Sequence, residues 1–397
     1  MDTLEASSPA ASSGAGRAER ILSLDLLRGL IMVLMAIDHA SLFVARTHSS
    51  EYWGTALAHY DSGAWFLTRL ITHVCAPGFF FLMGVGIALF AASRQERGWS
   101  QGRVSMFFAK RGLLLVAIMF LLEFPAWVIT FLTTNREAMI VRGTTPGQGD
   151  NVFVMLGVLY GLGGSMFCWA FLRRLPLLAI AAIGVGGILA TQWFIPDAAH
   201  AKVAYAWWLR ALFIPGKSDW ITVLYPVLPW MAVAGLGVAW GHYLQKERER
   251  AYRLLLPTSA TLLLLFCAVR WGGGFGNFHP PGAGWIGFMN LTKYPPSLSF
   301  LLLTLGINGI LLYLFERAGT GGAFWRAPLL VFGRSALFFY ILHLYVYALI
   351  GSAFRDGATL PVMYGAWLTG LLALYFLCKR YARFKGGRSV ESVWRFF

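Results

Sequence analysis

Ile21-Leu22-Ser23-Leu24-Asp25-Leu26-Leu27-Arg28-Gly29-Leu30-Ile31-Met32-Val33-Leu34-Met35-Ala36-Ile37-Asp38-His39 opens an apolar run that ends near Val44. At ~1.5 Å per residue, a helix of that length crosses a ~30 Å hydrocarbon layer. Nine more runs follow, giving spans near 21–44, 64–92, 104–132, 152–172, 176–195, 222–245, 252–270, 297–316, 328–350 and 360–378. The pattern predicts an all-α, polytopic membrane helix bundle of about ten transmembrane helices with both termini cytosolic. Residues 1–20, rich in Ser, Ala and Gly, read as a disordered cytosolic tail. The transmembrane domain then covers 21–380, and a basic cytosolic tail covers 381–397.

Composition agrees. Apolar residues make up 57% of the 397 and charged ones 13%, against ~45–50% and ~25% in soluble domains. The excess of 33 Lys+Arg over 18 Asp+Glu would suggest nucleic acid in a soluble chain. Here the alternating spans sort 21 of those cations to the cytosolic side and nine to the other, with Arg28, Arg69 and Arg334 in or beside spans. That bias is the positive-inside rule at work, so the charge reads as topology and no nucleic-acid partner is expected. Cys75, Cys168, Cys267 and Cys378 are scattered through apolar stretches, which excludes a disulfide framework and gives no metal-ligand spacing.

Ionisable side chains inside a membrane need a reason, because each costs at least ~2.5–3.5 kcal/mol at the bilayer centre. At 100° per residue Asp25, Arg28 and His39 fall within about 60° of one another on the first helix, and Asp38 points nearly opposite. By chain direction alone His39, His73 of the second span, His343 of the ninth and Glu123 of the third all lie in the outer half of the membrane. Three imidazoles and a carboxylate at one depth suit a general-base cluster, since imidazole titrates near neutrality. The plainer alternatives are an Asp25–Arg28 pair at a helix end and histidines that only bridge helices, each such bridge worth about 0.6 kcal/mol. The other histidines, His48, His59, His200, His242 and His279, read as solvated. Lys110-Arg111, at the cytosolic start of the third span, suits either a phosphate or topology alone. Gly84-Val85-Gly86 reads as close helix packing.

Arg20-Ile21-Leu22-Ser23-Leu24-Asp25-Leu26-Leu27-Arg28-Gly29, running on to Asp38-His39, resembles the opening of the heparan-alpha-glucosaminide N-acetyltransferase-like family of the bacterial transmembrane acyltransferase superfamily. Four later stretches resemble it too: Thr72-His73-Val74-Cys75-Ala76-Pro77, Tyr225-Pro226 to Pro229-Trp230, Tyr294-Pro295-Pro296-Ser297-Leu298, and Phe332-Gly333-Arg334 to His343. The resemblance implies transfer of an acetyl group from cytosolic acetyl-CoA, or another acyl-CoA, to a glycan or amino-sugar acceptor across a bacterial inner membrane, with no metal. The catalytic set is then His39, His73, His343, Glu123 and Asp38. Asp25, Arg28, Lys110 and Arg111 serve the acyl-CoA. In lysosomal relatives the histidine taken as catalytic lies in the first outer loop, where this chain has His59-Tyr60-Asp61-Ser62-Gly63. A proton-coupled transporter or exporter of a glycan or lipid intermediate is the alternative. Membrane lipid is an expected partner, and a homo-oligomer stays open.

Overall fold

Backbone amides have no water to bond within a bilayer, so an apolar run satisfies them internally by forming helix. The computed structural model describes residues 21–60, 62–133, 140–142, 146–147, 154–319, 324–389, 392 and 394. The tail 1–20 and the expected outer cation Arg136 lie outside them. The helices are α1 (Leu22–Phe43), α2 (Gly63–Thr72), α3 (Cys75–Gln95), α4 (Gln101–Ile118), α5 (Phe124–Thr133), α6 (Val158–Leu172), α7 (Leu177–Phe194) and α8 (Trp207–Leu212). They continue with α9 (Val227–Lys246), α10 (Arg248–Gly272), α11 (Gly284–Met289), α12 (Leu298–Arg317), α13 (Arg326–Arg334), α14 (Ala336–Gly351) and α15 (Leu360–Gly386). A π-helical turn, Met119–Glu123, joins α4 to α5.

Among the described residues eight helices or helix pairs are long and apolar enough to cross a membrane; α2 with α3 counts as one, as does α4 with α5. A further pair, α13 and α14, meets at 97°, and α6 is a shorter apolar helix. The continuous span expected at 328–350 is therefore broken. Ser335 leaves the helical region (φ −122, ψ 37), and Gly333 sits so close to α1 that a Cβ there would strike the Asp25 backbone. Two other spans start later than expected. Val154–Leu156 and Ile221–Val223 form strands (β3 and β5 below) rather than the first turns of α6 and α9, and Pro226 at the N-cap of α9 has no N–H to donate.

Hydrogen bonds gather the helix ends into two faces. On one, Ser23 Oγ pairs with the Tyr252 hydroxyl at 2.7 Å and donates to Glu316 at 2.8 Å, joining the starts of α1 and α10 to the end of α12. Arg173 and Arg174, in the turn between α6 and α7, donate to the Gln101 carbonyl at the start of α4. We call this the basic face. On the opposite loop face, Arg46 donates to the Gly351 and Phe354 carbonyls at 2.6 and 3.1 Å, tying the end of α1 to the end of α14.

Small residues bring the helices together. A Cβ on Gly84 would meet the Ala234 carbonyl oxygen across the α3–α9 contact, in keeping with the packing reading of that motif. The loop face carries short strands. β1 (Thr47–Ser49) pairs parallel with β2 (Ile140–Arg142), and β5 (Ile221–Val223) pairs with β3 (Val154–Leu156) and β4 (Gly216–Lys217). The Glu51 carbonyl accepts from the Lys293 and Tyr294 amides at 3.0 and 2.9 Å, which fixes the loop after α1 against the segment before α12. The Gly/Pro-rich loop 271–296 folds around Arg270, whose guanidinium donates to the carbonyls of Phe288, His279, Gly287 and Asn290.

Candidate active site

His39, on α1, and His343, on α14, meet. His39 Nδ1 and His343 Nε2 are 2.5 Å apart. The tautomers follow from the backbone. His343 Nδ1 lies 3.1 Å from the Phe339 carbonyl one turn earlier, and a carbonyl can only accept, so Nδ1 carries the hydrogen. Neutral His343 must then accept at Nε2, and His39 must donate from Nδ1. That leaves the lone pair on His39 Nε2, which makes no hydrogen bond among the described residues. His343 is fully buried, and His39 is half-buried with its ring edge-on to Trp127 at 5.6 Å.

Glu123, the last residue of the π-turn, belongs to the same neighbourhood. The Tyr340 hydroxyl donates to Glu123 Oε1 at 2.8 Å, and the Tyr340 ring lies 5.5 Å from that of His343. His73 is not part of this group. It caps α2, edge-on to Phe300 at 5.4 Å, with Nε2 3.6 Å from Glu51 Oε1.

Glu51, in the loop after α1, leads to a second constellation. Arg69 clamps its carboxylate with two donors, at 2.7 and 2.6 Å, and donates with its remaining terminal nitrogen to Asp38. Arg69 also donates to the Ser49 carbonyl at 3.1 Å. Asp38 therefore points away from His39, toward the loop face, where it lines a water-sized cavity of about 10 Å³ with His48, Tyr60, Trp65 and Arg69. Arg69 was legible in the sequence only as a cation in or beside a span, and Glu51 carried no signal there.

Two groups of this loop titrate unusually. Burial, reinforced by the Arg69 charge, pulls His48 down to about 4. Burial alone would push Glu51 up, but the Arg69 guanidinium holds its carboxyl well below the usual range. Both shifts cost stability in acid. An unfolded His48 takes its proton near 6.5 and the folded one only at about 4, so stability is full above 6.5 and falls as pH drops through that window. Glu51 adds a loss that begins below ~4.3, where the unfolded carboxylate protonates. His48→Gln should therefore flatten the decline of the thermal midpoint between pH 7 and 5 in detergent. An unchanged slope would remove His48 from this account.

On the basic side a cavity of about 740 Å³ opens among α1, α3, α4, α6, α13, α14 and the end of α15. Its cations are Arg28, Arg94, Arg111, Arg334 and Lys385, and its walls include Phe79, Leu82, Met83, Leu159 and Leu337. Asp25 organises part of the rim, bonded by Arg28 at 3.0 Å and paired with Arg334 at 3.5 Å. Tyr340 lines the cavity, whereas His39 and His343 stand beyond its lining residues. Volume, cationic rim and apolar interior suit an anionic ligand with a long neutral arm. Lys110 is exposed and absent from the lining. Arg94, Arg334 and Lys385 were read from the sequence as topological charges or span-end residues only. Of the histidines expected in solvent, His279 is instead bonded between the Thr292 hydroxyl and the Thr55 carbonyl, both at 2.8 Å. His59 is exposed. Among the described residues no three His, Cys, Asp or Glu side chains gather as a metal site requires.

Residues 20–271, well over half of the chain, match the family described as heparan-alpha-glucosaminide N-acetyltransferase, catalytic. The match takes in His39, Arg69, Arg111 and Glu123 and stops before Tyr340 and His343. No curated protein matches the chain.

Proposed function

The chain belongs to the heparan-alpha-glucosaminide N-acetyltransferase catalytic family, and from that premise we propose that it carries an acetyl group from acyl-CoA, held in the basic-rimmed cavity, to a sugar acceptor that reaches His39 from the loop face. Its apolar helices make it a multi-pass membrane protein. The positive-inside rule assigns the basic face to the cytosol, in keeping with a bacterial inner membrane and a cell-envelope glycan or amino sugar as acceptor. The observation that carries the reading is the sequence of groups met on going inward. A cationic rim leads to an apolar cavity that contains Tyr340. One turn further along α14, His343 fixes the tautomer of His39.

In this reading Arg28, Arg94, Arg111, Arg334 and Lys385 engage the phosphates, and Asp25 holds Arg28 and Arg334 in place. Lys110, exposed beside them, adds to the positive field. His39 Nε2 takes the proton from the attacking hydroxyl or amine, and His343 orients the ring. Asp38 and Arg69 shape the acceptor side, and His73 supports Glu51 from behind.

Purified protein in detergent, given labelled acetyl-CoA and an amino-sugar acceptor, should release free CoA thiol and labelled sugar. A proton-coupled carrier of a glycan intermediate would release neither. Arg111→Gln should raise KM for acetyl-CoA about tenfold and leave kcat within a few-fold, because it removes one charge-assisted contact made equally before and during reaction. A fall in kcat at unchanged KM would take Arg111 out of donor binding.

A further inference from the structure

The thioester leaves behind a sulfur that nothing assigned so far accounts for. When the carbon–sulfur bond breaks, both electrons go to sulfur. A thiolate within an apolar cavity is costly unless it is paired or protonated. The reading above supplies a base for the acceptor and cations at the rim, but no proton for this atom.

Two side chains fit the gap. Tyr340 lines the cavity and is 5% exposed. Behind it stands Glu123, 3% exposed, whose Oε1 accepts the Tyr340 hydroxyl at 2.8 Å. Glu123 Oε2 is buried with no hydrogen-bond partner, and Glu123 forms no ion pair among the described residues. The Trp127 indole nitrogen faces the carboxyl but makes no hydrogen bond of normal geometry. A carboxylate with one neutral donor and no counter-ion is expensive in such a place, whereas the neutral acid is not. Room has been made for the group. The π-turn that ends at Glu123 re-aims the helix there, as such turns do at functional sites. Gly157 faces it, where a Cβ would come within 2.8 Å of Oε1.

We propose that Tyr340, backed by Glu123, delivers the proton that turns the departing CoA sulfur into a free thiol; the proposal rests on the acyltransferase reading. With Glu123 as the acid, its O–H donates to the phenol oxygen while the phenol O–H turns into the cavity. The acceptor heteroatom bonds to the thioester carbon as His39 Nε2 removes its proton. The carbon–sulfur bond then breaks, sulfur takes the phenol hydrogen, and the Glu123 proton refills Tyr340. One proton has moved from acceptor to His39 and one from Glu123 to sulfur, so charge and atoms balance. As products leave, His39 gives its proton up to solvent and Glu123 takes one back, so the cycle consumes no net proton. Tyr340 is the group that touches sulfur, and Glu123 is a positioning residue that holds the proton behind it.

The test varies the leaving group. Wild type, Glu123→Gln and Tyr340→Phe are assayed with acetyl-CoA and with S-phenyl thioacetate, whose aryl thiolate departs without a proton. Each variant is compared with wild type donor by donor. Both variants should lose about 100-fold with acetyl-CoA, the lower range for a lost general acid, and keep their rate within about threefold with the aryl thioester. Equal losses on both donors would overturn the proposal and mark a structural role; so would acetyl-CoA rates within a few-fold of wild type. Thermal midpoints confirm that each variant is folded, and Tyr340→Phe keeps the ring and its packing if Glu123→Gln does not fold. A wild type that moves acetyl from neither donor would instead refute the acyltransferase reading itself.

Discussion

His39→Gln is expected to lower acetyl transfer by about 10³-fold, within the range for removal of a positioned general base, with little change in KM for acetyl-CoA. The expectation rests on one chain of hydrogen bonds. The Phe339 carbonyl fixes the His343 hydrogen on Nδ1, His343 Nε2 therefore accepts from His39 Nδ1, and His39 Nε2 keeps its lone pair. Glutamine can keep a bond to His343 but has no basic nitrogen. His343→Gln should fall less, because it removes the orientation and leaves the base. The pair can be told from mere packing by the pH profile of kcat/KM: the wild type should lose activity in acid as the imidazole protonates, and His39→Gln should lose that limb. Activity of His39→Gln within a few-fold of wild type, with the acid limb intact, would end the assignment.

The second large effect is on stability. Arg69→Met should destabilise the protein by about 3–5 kcal/mol, the cost of leaving buried charges without their partner. Arg69 is the shared cation of Asp38 and Glu51 and is 6% exposed, with Glu51 fully buried. Its loss strands two carboxylates together and releases the Ser49 carbonyl at 3.1 Å. Adding Glu51→Gln should return part of the loss, because the residues share one network and their effects are not additive. Thermal unfolding in detergent measures this. A shift of Arg69→Met equivalent to less than 1 kcal/mol would show that water already screens the cluster.

The bundle was legible in the sequence because hydrocarbon imposes length on every crossing helix, and the runs of apolar residues record that length. Depth was legible too. Counting from the span ends put His39 and His343 at one level, and they meet at 2.5 Å. Azimuth between helices was not. The same count placed His73 at that depth, yet it stands at the break between α2 and α3 and faces Glu51 and Phe300. The 97° bend between α13 and α14 has no local signature in the sequence; it falls beside Gly333, whose close approach to α1 is a tertiary contact. The rim cations Arg94 and Lys385 were hidden by the topological rule that explains most positive charges at helix ends. Glu51 carried no signal at all, being one loop carboxylate whose role depends on Arg69 from the next helix.

The donor side can be tested in one experiment: a structure of the protein with a non-hydrolysable acetyl-CoA analogue. The phosphates should lie among Arg28, Arg94, Arg111 and Lys385, with the sulfur-position atom beside the Tyr340 hydroxyl and the acyl carbonyl turned toward His39 Nε2. An analogue seated anywhere else, or with its acyl end directed away from α14, would contradict the account.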